Sequence, residues 1–446
     1  MSDLAALLPA ARAAARPVPT GRVCRVVGLN LEVEGVDAAI GDAVAVALDA
    51  AAPRRGQAGP RRLLAEVVAV RDGGLVCLPL GDLRGVRAGQ RVAALGGPLP
   101  VKLGRGLLGR VLGGLGHPID GRGELVGCVD GAVDGAPPAA LARARVDRQL
   151  ALGVRALDTL VPCGRGQRLG IFAGSGVGKS SLLSMIARGT EAPVSVIALV
   201  GERGREVREF IDNDLGPEGL ARSVVVVATS DEPALVRLRA AFTATRIAEW
   251  FRDQGDDVVL MMDSLTRFAM AQREVGLTAG EPPATRGYPP SAFALLPRLL
   301  ERAGPGQRGS ITGLYTVLVE GDDLNEPVGD AARSILDGHV VLSRKLATAG
   351  HFPSIDVLES ISRVVPAITS PKQRADATAL RRLLAAHRDA RDLVEIGAYV
   401  AGSNPDVDRA LALARPIERF LRQDIGEVTP AAASWQALTE LVGAAG

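Results

Sequence analysis

The sequence predicts an α/β fold: a parallel-sheet core, with a small β-barrel ahead of it and a helical domain behind. Three patterns predict it. A glycine-rich turn, AGSGVGKS, joins an apolar run at 169–172 to the helix-spaced residues Leu182, Leu183, Met185 and Ile186. Downstream, apolar runs at 194–200, 224–228, 258–262, 311–319 and 340–342 alternate with stretches of helical length and period such as 234–252. Such runs lack a two-residue alternation, as parallel strands buried on both faces do. Upstream, short β runs at 23–27, 29–33, 43–48, 64–70 and 75–80 are punctuated by Gly, Asp and Pro, the spacing of an antiparallel barrel.

The turn at 173–180 is a P-loop pattern with Ala173 in the first Gly position. Its glycines let the backbone fold tightly around an anion and offer bare N–H groups, and the following helix aims its positive end at the same place. Gly174, Ser175, Gly176, Val177, Gly178, Lys179, Ser180 and Ser181 are therefore expected to hold a nucleotide. Lys179 would reach the β- and γ-phosphates and the Ser180 hydroxyl would bind Mg²⁺. A chance Lys in a flexible turn is the competing reading. The chain has only four lysines, Lys102, Lys179, Lys345 and Lys372, against a large excess of Arg. One of the four falls where a compact ammonium suits a phosphate cradle better than a planar fork.

Composition narrows the class. The 446 residues are 47% hydrophobic and 23% charged with a formal net charge of +2, values of a globular protein with no global field drawing it to nucleic acid or membrane. No apolar run approaches the ~18 residues that span a bilayer. The first residues lack a basic start and apolar h-region, so secretion is not expected. They read instead as a short amphipathic helix with Leu4, Leu7, Leu8 and Ala11 on one face. The four cysteines and four histidines have no metal-ligand spacing, so no metal beyond a nucleotide-borne Mg²⁺ is expected.

Taken in order, the expected segments are an N-terminal amphipathic stretch at 1–20, a barrel at 21–96, an α/β core at 97–370 and a helical domain at 371–446. The Arg-, Gly- and Pro-rich stretch 53–62 reads as a loop. No Phe, Tyr or Trp precedes Phe172, so the barrel lacks the aromatic platform on which such folds stack bases. A structural or oligomerising role is expected of it. The stretch 104–125, rich in glycine, reads as a linker. Beyond Pro371 the strands stop and helical patterns at 380–393 and 406–423 take over.

Two carboxylates stand at the carboxyl ends of core strands, where ligands of α/β sheets bind. Glu202 follows the run 194–200 and is the candidate for orienting and polarising an attacking water. A solvated turn is its alternative, since GERGRE is dense in charge. Asp263 follows 258–262, as a Walker-B carboxylate holding hydrated Mg²⁺ does; a plain helix N-cap is the alternative. Arg267, one helical turn on, is expected to make an ion pair.

The stretches GSGVGKSS, GERGREV, VVLMMDSLTRFA, EPPATRGYPPS, GDDLNEP and ILDGHVVLSRKLA together resemble the hexameric rotary ATPases, and among them the protein-export ATPases of flagella and injectisomes. Asn325 in GDDLNEP leans toward the flagellar branch. The resemblance implies a RecA-like core and a homohexamer that hydrolyses Mg-ATP. It implies Lys179 and Ser180 as P-loop ligands, Glu202 as catalytic glutamate, Asp263 as Mg²⁺ ligand, and Arg203 near the γ-phosphate. Arg363 in SISRV is similar to the arginine finger that reaches a neighbouring subunit's nucleotide, and Phe352 in GHFPSID to an aromatic that stacks on adenine. On residue type alone, Phe352 reads as core and Arg363 as a surface charge. Implied partners are export-apparatus subunits, a stator-like regulator, a central stalk protein, and exported flagellar proteins with their chaperones. Nucleic acid is not among them, and the implied location is the cytoplasm, peripheral to the inner membrane. Glu202 and Arg363 share one chain, as a homohexamer with every interface catalytic requires. The rival readings are an ion-coupled ATP synthase subunit, an RNA translocase on the same core, and an assembly module that binds nucleotide without turnover.

Overall fold

The computed structural model describes residues 20–48, 61–71, 73–319 and 326–443. The expected N-terminal helix, most of the loop 53–62 and Asn325 lie outside the described residues. The chain divides into two compact units, one built mainly from residues up to Pro100 and the other mainly from Val101 onward.

The first unit is a closed barrel of β1 (Thr20–Val27), β2 (Asn30–Glu34), β3 (Ala43–Ala47), β4 (Arg62–Arg71), β5 (Gly74–Pro79) and β6 (Arg91–Ala94), in the order β1-β2-β5-β4-β3-β6. All its pairings are antiparallel. Alternate residues face inward, so that Val23, Leu31, Val33, Val44, Val46, Leu63, Ala65, Val67, Cys77 and Val92 form its core, as the pleat requires. The sixth strand was not expected from the sequence. It has only four residues, and it closes the barrel by pairing with both β1 and β3.

The second unit opens with a ribbon of β7 (Val101–Leu103) and β9 (Val129–Gly131), with β8 (Val111–Gly113) between them in sequence. A small pair, β10 (Gln149–Leu150) and β11 (Cys163–Gly164), leads to the main sheet. That sheet comprises β12 (Arg168–Ala173), β13 (Val194–Glu202), β14 (Ser223–Thr229), β15 (Asp257–Asp263), β17 (Ser310–Leu318), β18 (Gly338–Leu342) and β19 (Ile355–Ser362). Its order is β19-β18-β12-β17-β15-β13-β14-β8, with β16 (Gly304–Pro305) pairing β17 off this path. Pairings are parallel except β18 with β19 and β16 with β17. Every residue of β13 is buried, which is why that run carries no alternation.

Two expectations are corrected. The stretch 104–125 is not a plain linker: β8 within it is the outermost strand of the sheet, paired with β14. Asp120 of its turn accepts from Arg110 Nε at 2.7 Å and from the Val111 amide at 3.1 Å. That guanidinium holds the Asp120 carboxyl well below the usual carboxylate range. Strand β19 was also unexpected: it is an edge strand whose Ser360 and Ser362 are buried while Ile361 is exposed, so its sequence shows neither a continuous apolar run nor an apolar–polar alternation. From Pro371 on, the helices Pro371–Glu395, Pro405–Ala412, Ala414–Leu421 and Ala431–Gly443 follow. Their Leu380, Leu383, Ala410, Ile417, Phe420, Trp435 and Leu438 share one hydrophobic cluster with the residues around β12. Among the described residues no helix is long and apolar enough to cross a membrane.

Candidate active site

Strand β12 delivers the chain into the loop Gly174–Gly178, and Lys179 opens the helix Lys179–Gly189. Gly176 and Gly178 have φ of +73° and +91°, conformations that a residue with a Cβ rarely adopts. Gly178 caps the helix without any side-chain hydrogen bond. The first N–H groups of a helix have no partner within it, so this terminus is open to an anion. Two residues hold the loop from outside: Arg344 Nη1 donates to Ser175 O at 3.1 Å, and Ser354 Oγ to Val177 O at 2.6 Å. Ser180 is exposed in the first helical turn.

Parallel pairing of β12, β17, β15 and β13 brings their carboxyl ends to one crevice. There the Lys179 ammonium contacts Asp263 Oδ1 and lies 3.3 Å from Glu202 Oε1. Arg267 Nη1 sits 2.7 Å from Glu202 Oε2 and donates to Gly201 O at 2.6 Å. Thr316 Oγ1 donates to Asp263 Oδ1 at 2.7 Å. The Glu202 and Asp263 side chains are only 8% and 4% exposed. Two buried carboxylates are thus balanced by two cations, as burial demands. A phosphate competing for Lys179 would free Glu202 Oε1 and leave Asp263 Oδ1 held by Thr316.

These residues fit a magnesium nucleotide. An exposed hydroxyl and a buried carboxylate are the hard oxygen donors Mg²⁺ prefers. A Cβ at Gly178 would meet the Phe352 ring at 3.4 Å, so ring and loop are already in contact. Phe352 is 45% exposed and borders a cleft of about 360 Å³ lined also by Ser181, Met185, Arg422, Gln423 and Ile425. Gln423 N donates to Phe352 O at 3.0 Å, and Arg422 Nη2 to Gly350 O at 2.8 Å. An exposed ring beside a phosphate loop is placed to stack on a base, whereas a core phenylalanine would be buried.

Two expected residues stand apart from this cluster. Arg203 is the N-cap of the helix Gly204–Glu209; its side chain is 76% exposed and pairs with Glu206 at 3.2 Å. Arg363 follows the end of β19. Its N–H donates to Asp337 O at 2.9 Å, and the Asp337 amide donates to Arg168 O at 2.8 Å. Arg168 is the first residue of β12, and the P-loop follows the last. Six residues at ~3.3 Å each put Arg363 roughly 20 Å from its own phosphate loop. Sequence reasoning missed Thr316, Ser354 and Arg344, whose contacts join segments distant in the sequence and carry no local motif.

Fold and site define a P-loop nucleotide-binding enzyme. The ATP synthase alpha/beta family nucleotide-binding domain matches residues 153–362, and the T3SS EscN ATPase C-terminal domain matches residues 369–440. The flagellum-specific ATP synthase of Bacillus subtilis is 50% identical over 423 residues, 95% of each chain. The SPI-2 type 3 secretion system ATPase of Salmonella typhimurium is 51% identical over 369 residues, 83% of this chain and 85% of that one. The assembled ATPase EscN of enteropathogenic E. coli, solved with its central stalk EscO, superposes with a TM-score of 0.86 at 41% identity. It covers 95% of this chain and 100% of that one. The chain belongs to the type III export ATPase branch of the ATP synthase alpha/beta family, and it is an ATPase.

Proposed function

We propose that this ATPase assembles into a homohexameric ring, hydrolyses Mg-ATP between adjacent protomers, and energises export of flagellar proteins through a type III apparatus. One observation carries the proposal. Glu202 lies in the crevice beside the P-loop while Arg363 sits at the opposite end of the same sheet. An arginine roughly 20 Å from its own phosphate loop can act on a triphosphate only if another protomer presents one.

In this mechanism the helix terminus and Lys179 grip the β- and γ-phosphates, and Phe352 stacks on the adenine. Ser180 and Asp263 would hold Mg²⁺, which when bound would neutralise charge on the phosphates. Arg267 fixes one oxygen of Glu202; the other, freed from Lys179, orients the attacking water. Arg203, one residue beyond Glu202, leaves its exposed pair with Glu206 and reaches toward the γ-phosphate. Arg363 of the neighbouring protomer stabilises charge in the transition state, a contribution on the order of 10³–10⁵ in rate. Nucleotide binding and release change how protomers pack and move the C-terminal helices. A central stalk as partner is supported by the EscN–EscO complex; a stator-like regulator, export-apparatus subunits and chaperoned export substrates complete the reading. The working site is cytoplasmic, at the inner membrane.

A second reading, export through an injectisome, is favoured by 51% identity to the SPI-2 relative. A deletion strain complemented with wild type or Lys179→Ala separates the two. Flagellar export predicts motility restored by wild type and not by the variant; motility unaffected by the deletion, with loss of effector secretion, would replace it with the injectisome reading.

A further inference from the structure

Gln167 immediately precedes β12, and its side chain is fully buried. Its Oε1 accepts from the Gly164 amide at 2.9 Å; its Nε2 donates to Asp337 O at 3.1 Å and to Ser362 Oγ at 3.0 Å. Asp337 O also accepts the Arg363 amide, and the Asp337 carboxylate takes the Arg168 amide at 3.0 Å and Arg168 Nε at 3.1 Å. Thus both residues that set the Arg363 backbone, Ser362 before it and Asp337 beside it, are bonded to one buried amide at the root of the P-loop strand. Beyond Cα, by contrast, Arg363 is nearly unsupported. Among the described residues its exposed guanidinium has one long contact, 3.5 Å to Arg333 O.

A buried amide that satisfies three groups on three segments is costly to build and holds those segments in one arrangement. Nothing at Gln167 touches the nucleotide crevice; that crevice lies at the far end of β12. We propose that Gln167 is a positioning residue for catalysis in the adjacent protomer: it locks Arg363 to the base of β12, so that the strand gripping one triphosphate also aims the cation offered to the next. The proposal rests on the intersubunit role of Arg363 given above.

The test is subunit complementation in co-assembled rings. Gln167→Leu keeps the buried bulk and removes the amide. Alone, it is expected to lower kcat by roughly 10- to 100-fold, the scale of an ångström-level misplacement, with the KM for ATP within about twofold of wild type. Co-assembled one to one with Lys179→Ala, which is inactive by itself, it should regain activity above the sum of the two separate rings. In such a ring the Lys179→Ala protomer supplies a correctly aimed Arg363 to the intact grip of its Gln167→Leu neighbour. Ser362→Ala, which removes one of the three bonds and disturbs packing least, should show the same complementation with a smaller kcat loss. Arg363→Ala mixed with Lys179→Ala is the reference. Its failure to complement would overturn the intersubunit finger and this proposal with it. Complementation there, with none for Gln167→Leu or Ser362→Ala, would assign the amide to its own protomer's fold and overturn this proposal alone.

Discussion

Replacing Thr316 with Val tests how Asp263 is held. Thr316 is fully buried, and its hydroxyl donates to Asp263 Oδ1 at 2.7 Å while Lys179 contacts the same oxygen. Val fills nearly the same volume, so packing is retained and one hydrogen bond to a charged group is lost. Such bonds are worth about 1.5–3 kcal/mol. If that energy goes into aiming the carboxylate at Mg²⁺, the Mg²⁺ concentration for half-maximal ATPase rises roughly 10- to 100-fold at ~1.4 kcal/mol per decade. The assay is ATPase rate against free Mg²⁺ at saturating ATP, with Thr316→Ser as the variant that keeps the hydroxyl. A Thr316→Val protein of wild-type thermal stability and unchanged Mg²⁺ dependence would refute the reasoning.

Two further outcomes follow from the same geometry. Phe352→Ala should raise the KM for ATP by roughly 5- to 100-fold, since base stacking contributes ~1–3 kcal/mol, with kcat retained and Phe352→Tyr close to wild type; equal KM values would remove the ring from the adenine site. Asp158 is fully buried; its carboxylate accepts the Leu152 and Gly153 amides at 2.8 and 3.0 Å, yet burial pushes its pKa up to about 7. Because the folded value lies above the unfolded one of ~3.9, the protonated form favours the fold and stability is lost as pH rises from about 4 through 7, on the order of 4 kcal/mol in total. The wild-type thermal midpoint should therefore fall relative to Asp158→Asn between pH 5 and pH 8, and parallel midpoints would contradict that assignment.

What could be read from the sequence was whatever is local. The P-loop, Glu202 and Asp263 each sit at the end of an apolar run, and those runs are the strands β12, β13 and β15. Arg267 was expected as an ion-pair residue and pairs with Glu202. The rest depends on pairing between distant segments. β8 is three residues long in a glycine-rich stretch, so no period could show. β19 mixes buried and exposed positions because it pairs on one edge only. Thr316 is an ordinary polar residue until the register of β15 with β17 brings Asp263 beside it, and Ser354 and Gln167 are so until β18 and β19 pair alongside β12 and bring them to the P-loop and to Ser362. The exposure of Arg363 was legible as a surface charge, but its distance from the P-loop required the antiparallel turn of β19.

The most direct measurement of the shared site is ATPase activity per protomer, followed with mass determination across a dilution series, for wild type and Arg363→Ala. The account predicts that wild-type turnover rises with assembly and vanishes in isolated protomers, while Arg363→Ala assembles and binds ATP but turns over at least ~10³-fold more slowly. Full turnover in a monomeric fraction, or in assembled Arg363→Ala, would contradict it.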